Sequence, residues 1–311
     1  MTTAVSATQQ QQVSNAVAVD RLHKIRPVLT HFRNRMLQLY YPSRELSLDE
    51  SMMGWRGRLG FRQYIQGKRH KYGIKIYVLA ESTGLIYKLL VFSGKTEELA
   101  NDMHTVAVVL HLMDGLLNAG HSLYMDNYYN SPLLAIRLLW NATYVTGTLR
   151  HRKGLPTGFT GKKNKVKRKE RPLCLTTYHG NVMIGKWREK TRDVSFISTE
   201  HDCELVNIPR RRQWNPNVQP DEGPVSAARL RKRKAAAEDV YRPQAIAEYN
   251  EYMSGIDLAD QMLSYYSPLR KTLAWYKKLF FHIMCIMMYN SFKLHRIAYP
   301  DKVIYYEEFI K

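Results

Sequence analysis

Residues 73–81 (GIKIYVLAE) and 85–93 (LIYKLLVFS) are two apolar runs rich in Ile, Val and Tyr, separated only by Ser82-Thr83-Gly84. Runs of β-branched and aromatic residues joined by so short a glycine-containing link read as an antiparallel hairpin. A third strand precedes them. In the segment 45–58 (ELSLDESMMGWRGR), Leu46 and Leu48 alternate with Ser47 and Asp49, the period of a half-buried strand. With both leucines inward, Asp49 faces away from them, and Glu50 returns to the inner side or begins a turn. The chain then enters a loop over 55–71 carrying Arg56, Arg58, Arg62, Lys68, Arg69 and Lys71, a composition suited to phosphate beside a carboxylate. An Asp closing a strand ahead of a glycine-containing loop is ordinarily turn chemistry. Its meaning depends on whether other carboxylates meet it.

The flanking patterns build a layer around these strands. Leu22, Ile25, Val28, Leu29, Phe32, Met36 and Leu37 recur at three- and four-residue steps and predict a helix over 20–40, interrupted by Pro27. Residues 105–117 (TVAVVLHLMDGLL) read as a buried helix crossing the sheet, with His111 as a core histidine and not a ligand. Residues 122–127 (SLYMDN) form a short strand ending in Asp126. Ser131 as N-cap with Pro132 at the first helical position then starts a helix reaching Trp140. Residues 144–149 supply a fifth strand. The expectation is an α/β fold, a mixed sheet of about five strands flanked by helices, with Asp49 and Asp126 at or just past strand ends. If the first and fourth strands are neighbours, those two carboxylates come together.

A length of 311 residues, 45% of them hydrophobic, accommodates one large domain or two ordinary ones. The formal charge of +20 points to a polyanionic partner, nucleic acid first and an acidic membrane second, with a generically basic soluble protein as the plain alternative. The charge is gathered in runs. Residues 150–171 are dense in Lys and Arg with a single Glu, and 173–198 then offers strand-like pieces (LCLTTYHG, NVMIGKW, DVSFIS). Further basic runs follow at Arg210-Arg211-Arg212 and at 229–234, among scattered prolines. The stretch 151–240 therefore reads as an inserted basic subdomain that grips a phosphate backbone or carries a nuclear import signal, against a merely solvated surface. Residues 1–19, rich in Ser, Thr, Ala and Gln, lack a basic and an apolar region in signal-peptide order and read as a disordered lead-in. Cys174, Cys203 and Cys285 are far apart and odd in number, which argues against a disulfide scaffold and for a reducing compartment. His201-Asp202-Cys203 with His179 matches no metal-ligand spacing.

Helical periodicity returns over 243–266, where Asp257 and Asp260 share a face beside the stripe Ile256, Ala259 and Leu263. A last helix spans about 274–297. Its apolar stretch, 279–289, is too short for a bilayer that needs about twenty residues, so no membrane span is expected and His282 reads as packing. The chain thus divides into a first core part (20–150), the insertion (151–240) and a last core part (241–311).

Three acidic sites stand out: Asp49, Asp126, and Asp257 with Asp260. Oxygen ligands of this kind hold hard cations, and two Mg²⁺ or Mn²⁺ ions about 3.5 to 4 Å apart activate a nucleophile and stabilise the leaving oxygen of a phosphodiester. That is the chemistry of RNase H-like nucleases. The blocks LSLDESMMGWRGR (46–58), KYGIKIYVL (71–79), YMDNYYNSPLLA (124–135), MSGIDLADQM (253–262) and LRKTLAWYKKLFF…YNSF (269–292), in that order and spacing, resemble the piggyBac transposase family. The resemblance covers roughly 20–300. It implies an RNase H-like core in which Asp49, Asp126 and Asp257 are catalytic and Asp260 is an accessory metal ligand. It also implies two Mg²⁺ or Mn²⁺ ions, nicking of transposon ends, hairpin formation and joining at TTAA targets. DNA contacts are expected from Arg56, Arg58, Lys71, Lys162, Lys163, Lys165, Lys167, Arg168, Lys169, Arg270, Lys271 and Trp275, the last as a stacking surface. DNA is the expected partner, with a homodimer open, and the expected location is nuclear. The family's long N-terminal region and C-terminal cysteine-rich zinc domain have no counterpart in this sequence. A second expectation therefore stands beside the first: a truncated or domesticated transposase-derived DNA-binding protein without transposition activity.

Overall fold

The computed structural model describes residues 20–94, 103–150, 155, 174–189, 192–208, 240–265, 272–302 and 304–311. The lead-in 1–19, the lysine run with Lys162, Lys163, Lys165, Lys167, Arg168 and Lys169, the basic runs at 210–212 and 229–234, and Arg270 and Lys271 lie outside the described residues.

The elements run α1 (Arg26–Leu39), β1 (Glu45–Gly54), β2 (Gln63–Tyr64), β3 (Tyr72–Glu81), β4 (Ile86–Val91), α2 (His104–Met113), β5 (Ser122–Met125), α3 (Pro132–Leu139) and β6 (Tyr144–Thr148). There follow β7 (Cys174–His179), β8 (Val182–Glu189), β9 (Arg192–Ser198), β10 (Leu205–Ile208), β11 (Val240–Pro243), α4 (Gln244–Tyr252), α5 (Gly255–Tyr265), α6 (Trp275–Ala298) and α7 (Tyr306–Phe309). No described helix is long and apolar enough to cross a membrane.

The sheet is mixed. Its order is β2-β3-β1-β5-β6-β9-β8-β7, with β4 also on β3, and β10 and β11 form a separate pair. Parallel pairing joins β1 to β5 and β5 to β6, whereas β1 meets β3, and β6 meets β9, antiparallel. Expected elements recur where their local chemistry is strong. The Ser131 hydroxyl accepts the Leu134 N–H at 3.3 Å, capping α3, and Val106, Val108, Val109, Leu112 and Met113 are the buried face of α2.

Two expectations are corrected. The sheet does not stop near five strands, because β9 pairs with β6 and carries β8 and β7 onto the same nine-stranded sheet. Alternation covers both faces of this extension. Val182, Ile184 and Ile197 join Ala135 of α3 in one cluster, while Met183, Trp187 and Phe196 join Ala245 and Ile246 of α4 in another. The pairing is hidden from sequence, since a strand's partner fifty residues away leaves no local mark. Second, the helix expected over 243–266 is two helices. The break comes where Gly255 passes the end of β3, so close that a Cβ there would stand 1.9 Å from the Glu81 carbonyl oxygen.

Against the expectation drawn from the cysteine spacing, Cys203 is disulfide-bonded, whereas Cys285 is free and buried. The His201 Nε2 lies 2.9 Å from Glu248 Oε2.

Buried polar groups tie the layers together. Glu81, 3% exposed, accepts the Tyr40 hydroxyl at 2.9 Å and the Ser43 N–H at 2.7 Å, fixing the passage from α1 into β1. Asn290 on α6 accepts the Ile86 N–H at 3.1 Å and donates to the Ile86 carbonyl at 2.6 Å, so a side chain supplies the ladder partner that β4 lacks there.

His282, buried on α6, has an Nε2 without a hydrogen-bond partner, and burial, then Lys278 and His70, pull its pKa from 6.5 down to about 4. A histidine depressed in the fold contributes stability that is complete above pH 6.5 and lost as the pH falls toward 4. Lowering the pH from 7 to 5 is therefore expected to cost roughly 2 kcal/mol through this residue. A His282→Met variant should lose that part of the acid sensitivity in urea melts at the two pH values; equal pH slopes in the two proteins would contradict the assignment.

Candidate active site

The site begins where β1 outruns β5. The parallel register pairs Leu48 with Met125, so the next residue on each strand, Asp49 and Asp126, emerges beside the other. Asp49 is thus in the middle of β1 and not at its end: β3 still pairs it, Asp49 opposite Val78, as far as Gly54. Period-two alternation then sorts the neighbours. Asp49 and Ser51 share one face of β1, and Glu50 is on the other.

On the first face, α5 brings Asp260, whose Oδ1 accepts the Ser51 hydroxyl at 2.6 Å. Asp257, one turn earlier in the first turn of α5, is exposed. From the β2–β3 hairpin comes Lys68, its Nζ 3.8 Å from Asp49 Oδ2. Backbone donors hold Asp49 and Asp126: Asp49 accepts the Glu50 N–H at 2.7 Å and Asp126 the Tyr128 N–H at 2.8 Å. Tyr249 on α4, hydrogen-bonded to the Thr148 side chain, lies within electrostatic reach of Asp126, Asp49 and Asp257; burial, with these charges, pushes its phenol up to about 12.

On the opposite face, Glu50 accepts the Tyr129 hydroxyl at 3.0 Å and lies 3.8 Å from Lys75 Nζ. Lys75 is itself held between the rings of Tyr77 and Tyr128, 4.6 and 4.5 Å from their centroids. Its burial lowers its pKa, against the pull of Glu50, Asp49 and Asp126.

Too much negative charge is gathered here for the cations that face it. Burial raises Asp49 to about 7 despite Lys68, with Glu50 and Asp126 adding repulsion. Asp126 is raised by burial against the Tyr128 N–H, and Asp260 by burial against the Ser51 hydroxyl and Lys68. Carboxylates crowded in a medium of low dielectric bind a proton or a cation more readily than carboxylates in water. The donor set, all carboxylate oxygens, fits a hard divalent ion and not a thiophilic one. Among the described residues no three His, Cys, Asp or Glu side chains close on one point; the cation paired with Asp49 is the Lys68 ammonium, 3.8 Å away.

The remaining nominated residues are more dispersed. Arg56, Arg58 and Lys71 are exposed on the loop and hairpin next to the site. Trp275, the first residue of α6, is half-buried, edge-on to Phe61 at 5.2 Å between ring centroids. In the sequence Lys68 is one more basic residue of a phosphate-suited loop, and Lys75, Ser51, Tyr129 and Tyr249 belong to no motif that nominates them. Only the lysine in the middle of an apolar strand, Lys75, carried a signal that could have been noticed.

The family model described as Transposase IS4 matches residues 3–292. Human PiggyBac transposable element-derived protein 3 is 24% identical over 307 residues, covering 95% of this chain and 47% of that protein. The chain belongs to the piggyBac-type transposase family. Human PiggyBac transposable element-derived protein 2 is 23% identical, over 91% of this chain and 46% of its own length. The fold matches a cryo-EM structure of a piggyBac transposase synaptic complex with hairpin DNA at a TM-score of 0.72 and 23% identity, covering 92% of this chain and 54% of that one. The chain spans about half the length of these piggyBac relatives. The mixed α/β sheet flanked by helices is that of the piggyBac transposase catalytic domain.

Proposed function

We propose that this domain is a metal-dependent DNA nuclease and strand transferase that nicks transposon ends, forms hairpins and joins DNA at TTAA. Asp49, Asp126 and Asp257 hold Mg²⁺ or Mn²⁺, with Asp260 as an accessory carboxylate. Bound there, two such ions supply Lewis acidity and a nucleophile at neutral pH for phosphodiester displacement. The chain's own residues do the rest. Asp49 and Asp126 are pre-oriented by the Glu50 and Tyr128 amides, and Ser51 fixes Asp260. Tyr249 and the rings of Tyr128 and Tyr129 help to bury Asp49 and Asp126. Arg56, Arg58 and Lys71 contact phosphates, with the basic stretch 162–169 and Arg270, Lys271 and Trp275 completing the DNA path. The observation that carries this reading is the parallel β1–β5 register that sets Asp49 beside Asp126.

A second reading, a nuclear DNA-binding protein derived from a transposase and no longer transposing, draws support from the similar human proteins, whose names describe them as transposable element-derived. One assay separates the two. The purified chain is incubated with a hairpin-capable transposon-end duplex and Mg²⁺, with EDTA as control, and the products are run on a denaturing gel. Nicks and hairpins that vanish with EDTA support the nuclease; salt-sensitive binding without metal-dependent cleavage supports the second reading.

A further inference from the structure

Lys68 is in an unexpected place for a lysine on a hairpin tip. Its neighbours Gln66, Gly67, Arg69 and His70 are exposed, yet its own side chain keeps only 23% of its exposure and its ammonium turns inward, 3.8 Å from Asp49 Oδ2. The same charge reaches Asp260. The hairpin carrying it is lightly anchored. Its β2 strand is two residues long, pairing Gln63 with Gly73 and Tyr64 with Tyr72, and a single further backbone bond, Ile65 N–H to Lys71 carbonyl at 2.9 Å, closes the tip.

We infer that Lys68 is a built-in counter-ion: it neutralises Asp49 and Asp260 when no divalent cation is bound, and leaves the site when one binds. This rests on the metal-binding reading above. An ammonium on a flexible four-carbon stem is a movable single charge. A divalent ion at the same carboxylates carries twice that charge and repels an ammonium within a few ångströms, so the two exclude each other. Departure costs the hairpin the Lys68–Asp49 ion pair that ties it to the sheet, and the freed Lys68 joins Arg56, Arg58 and Lys71 on the outer surface. Cation binding thereby adds a phosphate contact on the face that meets DNA.

The test uses the full chain and Mn²⁺ alone, titrated by calorimetry. Lys68→Met is expected to bind Mn²⁺ about tenfold more tightly than the unmodified protein, the effect of one removed competing charge at close range. Lys71→Met, which removes an exposed charge from the same hairpin, should change binding by less than about twofold. Hydrogen–deuterium exchange on the unmodified protein gives an independent reading: Mn²⁺ should speed exchange of the amides at 65–71. Mn²⁺ binding that requires Asp49 but is equal in Lys68→Met and the unmodified protein overturns the counter-ion role alone. So does exchange at 65–71 that is unchanged or slowed by bound Mn²⁺. Absence of Mn²⁺ binding in both proteins overturns this inference and the metal reading together.

Discussion

Asp126→Asn is expected to lower metal-dependent nicking by roughly a thousandfold, the several kcal/mol that a metal ligand contributes to stabilising a phosphodiester transition state. The same change should leave the metal-free chain as stable as before or more so. Asparagine keeps the shape and the carbonyl that accepts the Tyr128 N–H, a bond of 2.8 Å in the unmodified protein. What it removes is a negative charge whose burial raises the Asp126 pKa above 3.8, close to Glu50. An acid raised in the fold supports stability at low pH and withdraws that support as the pH climbs through its folded pKa. The melting temperature of Asp126→Asn in EDTA should therefore match the unmodified protein near pH 4 and exceed it at pH 8. Single-turnover gels and thermal melts across that range measure both halves. Loss of activity accompanied by a lower melting temperature at pH 8 would mean that Asp126 serves the fold and not the chemistry, and nicking at the unmodified rate would remove it from the site altogether.

Gly255→Ala carries the largest expected stability effect. The added Cβ would meet the Glu81 carbonyl oxygen at 1.9 Å and its carbon at 2.8 Å. These are backbone atoms that cannot rotate aside, and that oxygen already accepts the Gly84 N–H at 2.9 Å. Relief requires moving the start of α5, which costs about 3 kcal/mol by the measure of overpacked interiors. In a chain of this size that corresponds to a melting-temperature loss of roughly 6–12 °C. Because Asp257 and Asp260 ride on α5, nicking should fall with stability, and the Ser51–Asp260 hydrogen bond of 2.6 Å should be broken. Gly67→Ala is the control, since nothing lies within 4 Å of a Cβ there; it should melt within about 1 °C of the unmodified protein. A Gly255→Ala protein with unchanged melting and activity would show that α5 shifts freely, contrary to the packing described.

The two substitutions mark different kinds of legibility. Asp126 was visible because an apolar strand ended in a carboxylate just before a capped helix, and both signals are local. Gly255 was not, because the residue that requires it, Glu81, is remote in sequence, and inside a helical pattern a glycine is only a weak propensity mark. The same contrast separates Lys71 from Lys68. Both are basic residues in one loop, and only the fold of the hairpin sends one outward and the other onto Asp49. The extension of the sheet through β7, β8 and β9 was obscured for a further reason: basic runs in the sequence flank its strands on both sides, so composition suggested an independent insertion where pairing with β6 made a continuation.

What the chain alone determined are the quantities written within a few residues of each other: the hairpin of β3 and β4, the buried helix α2, the capped start of α3, the long final helix, the net basic charge, and the family to which the acidic blocks belong. Strand period, helix period and capping act through neighbours along the chain, so they survive without coordinates. Tertiary structure decided which strands lie side by side, which face each carboxylate takes, and which cation answers it. Those outcomes depend on register and burial between segments up to two hundred residues apart. There the energy of a charge is set by the dielectric and the partners around it, which no local pattern encodes.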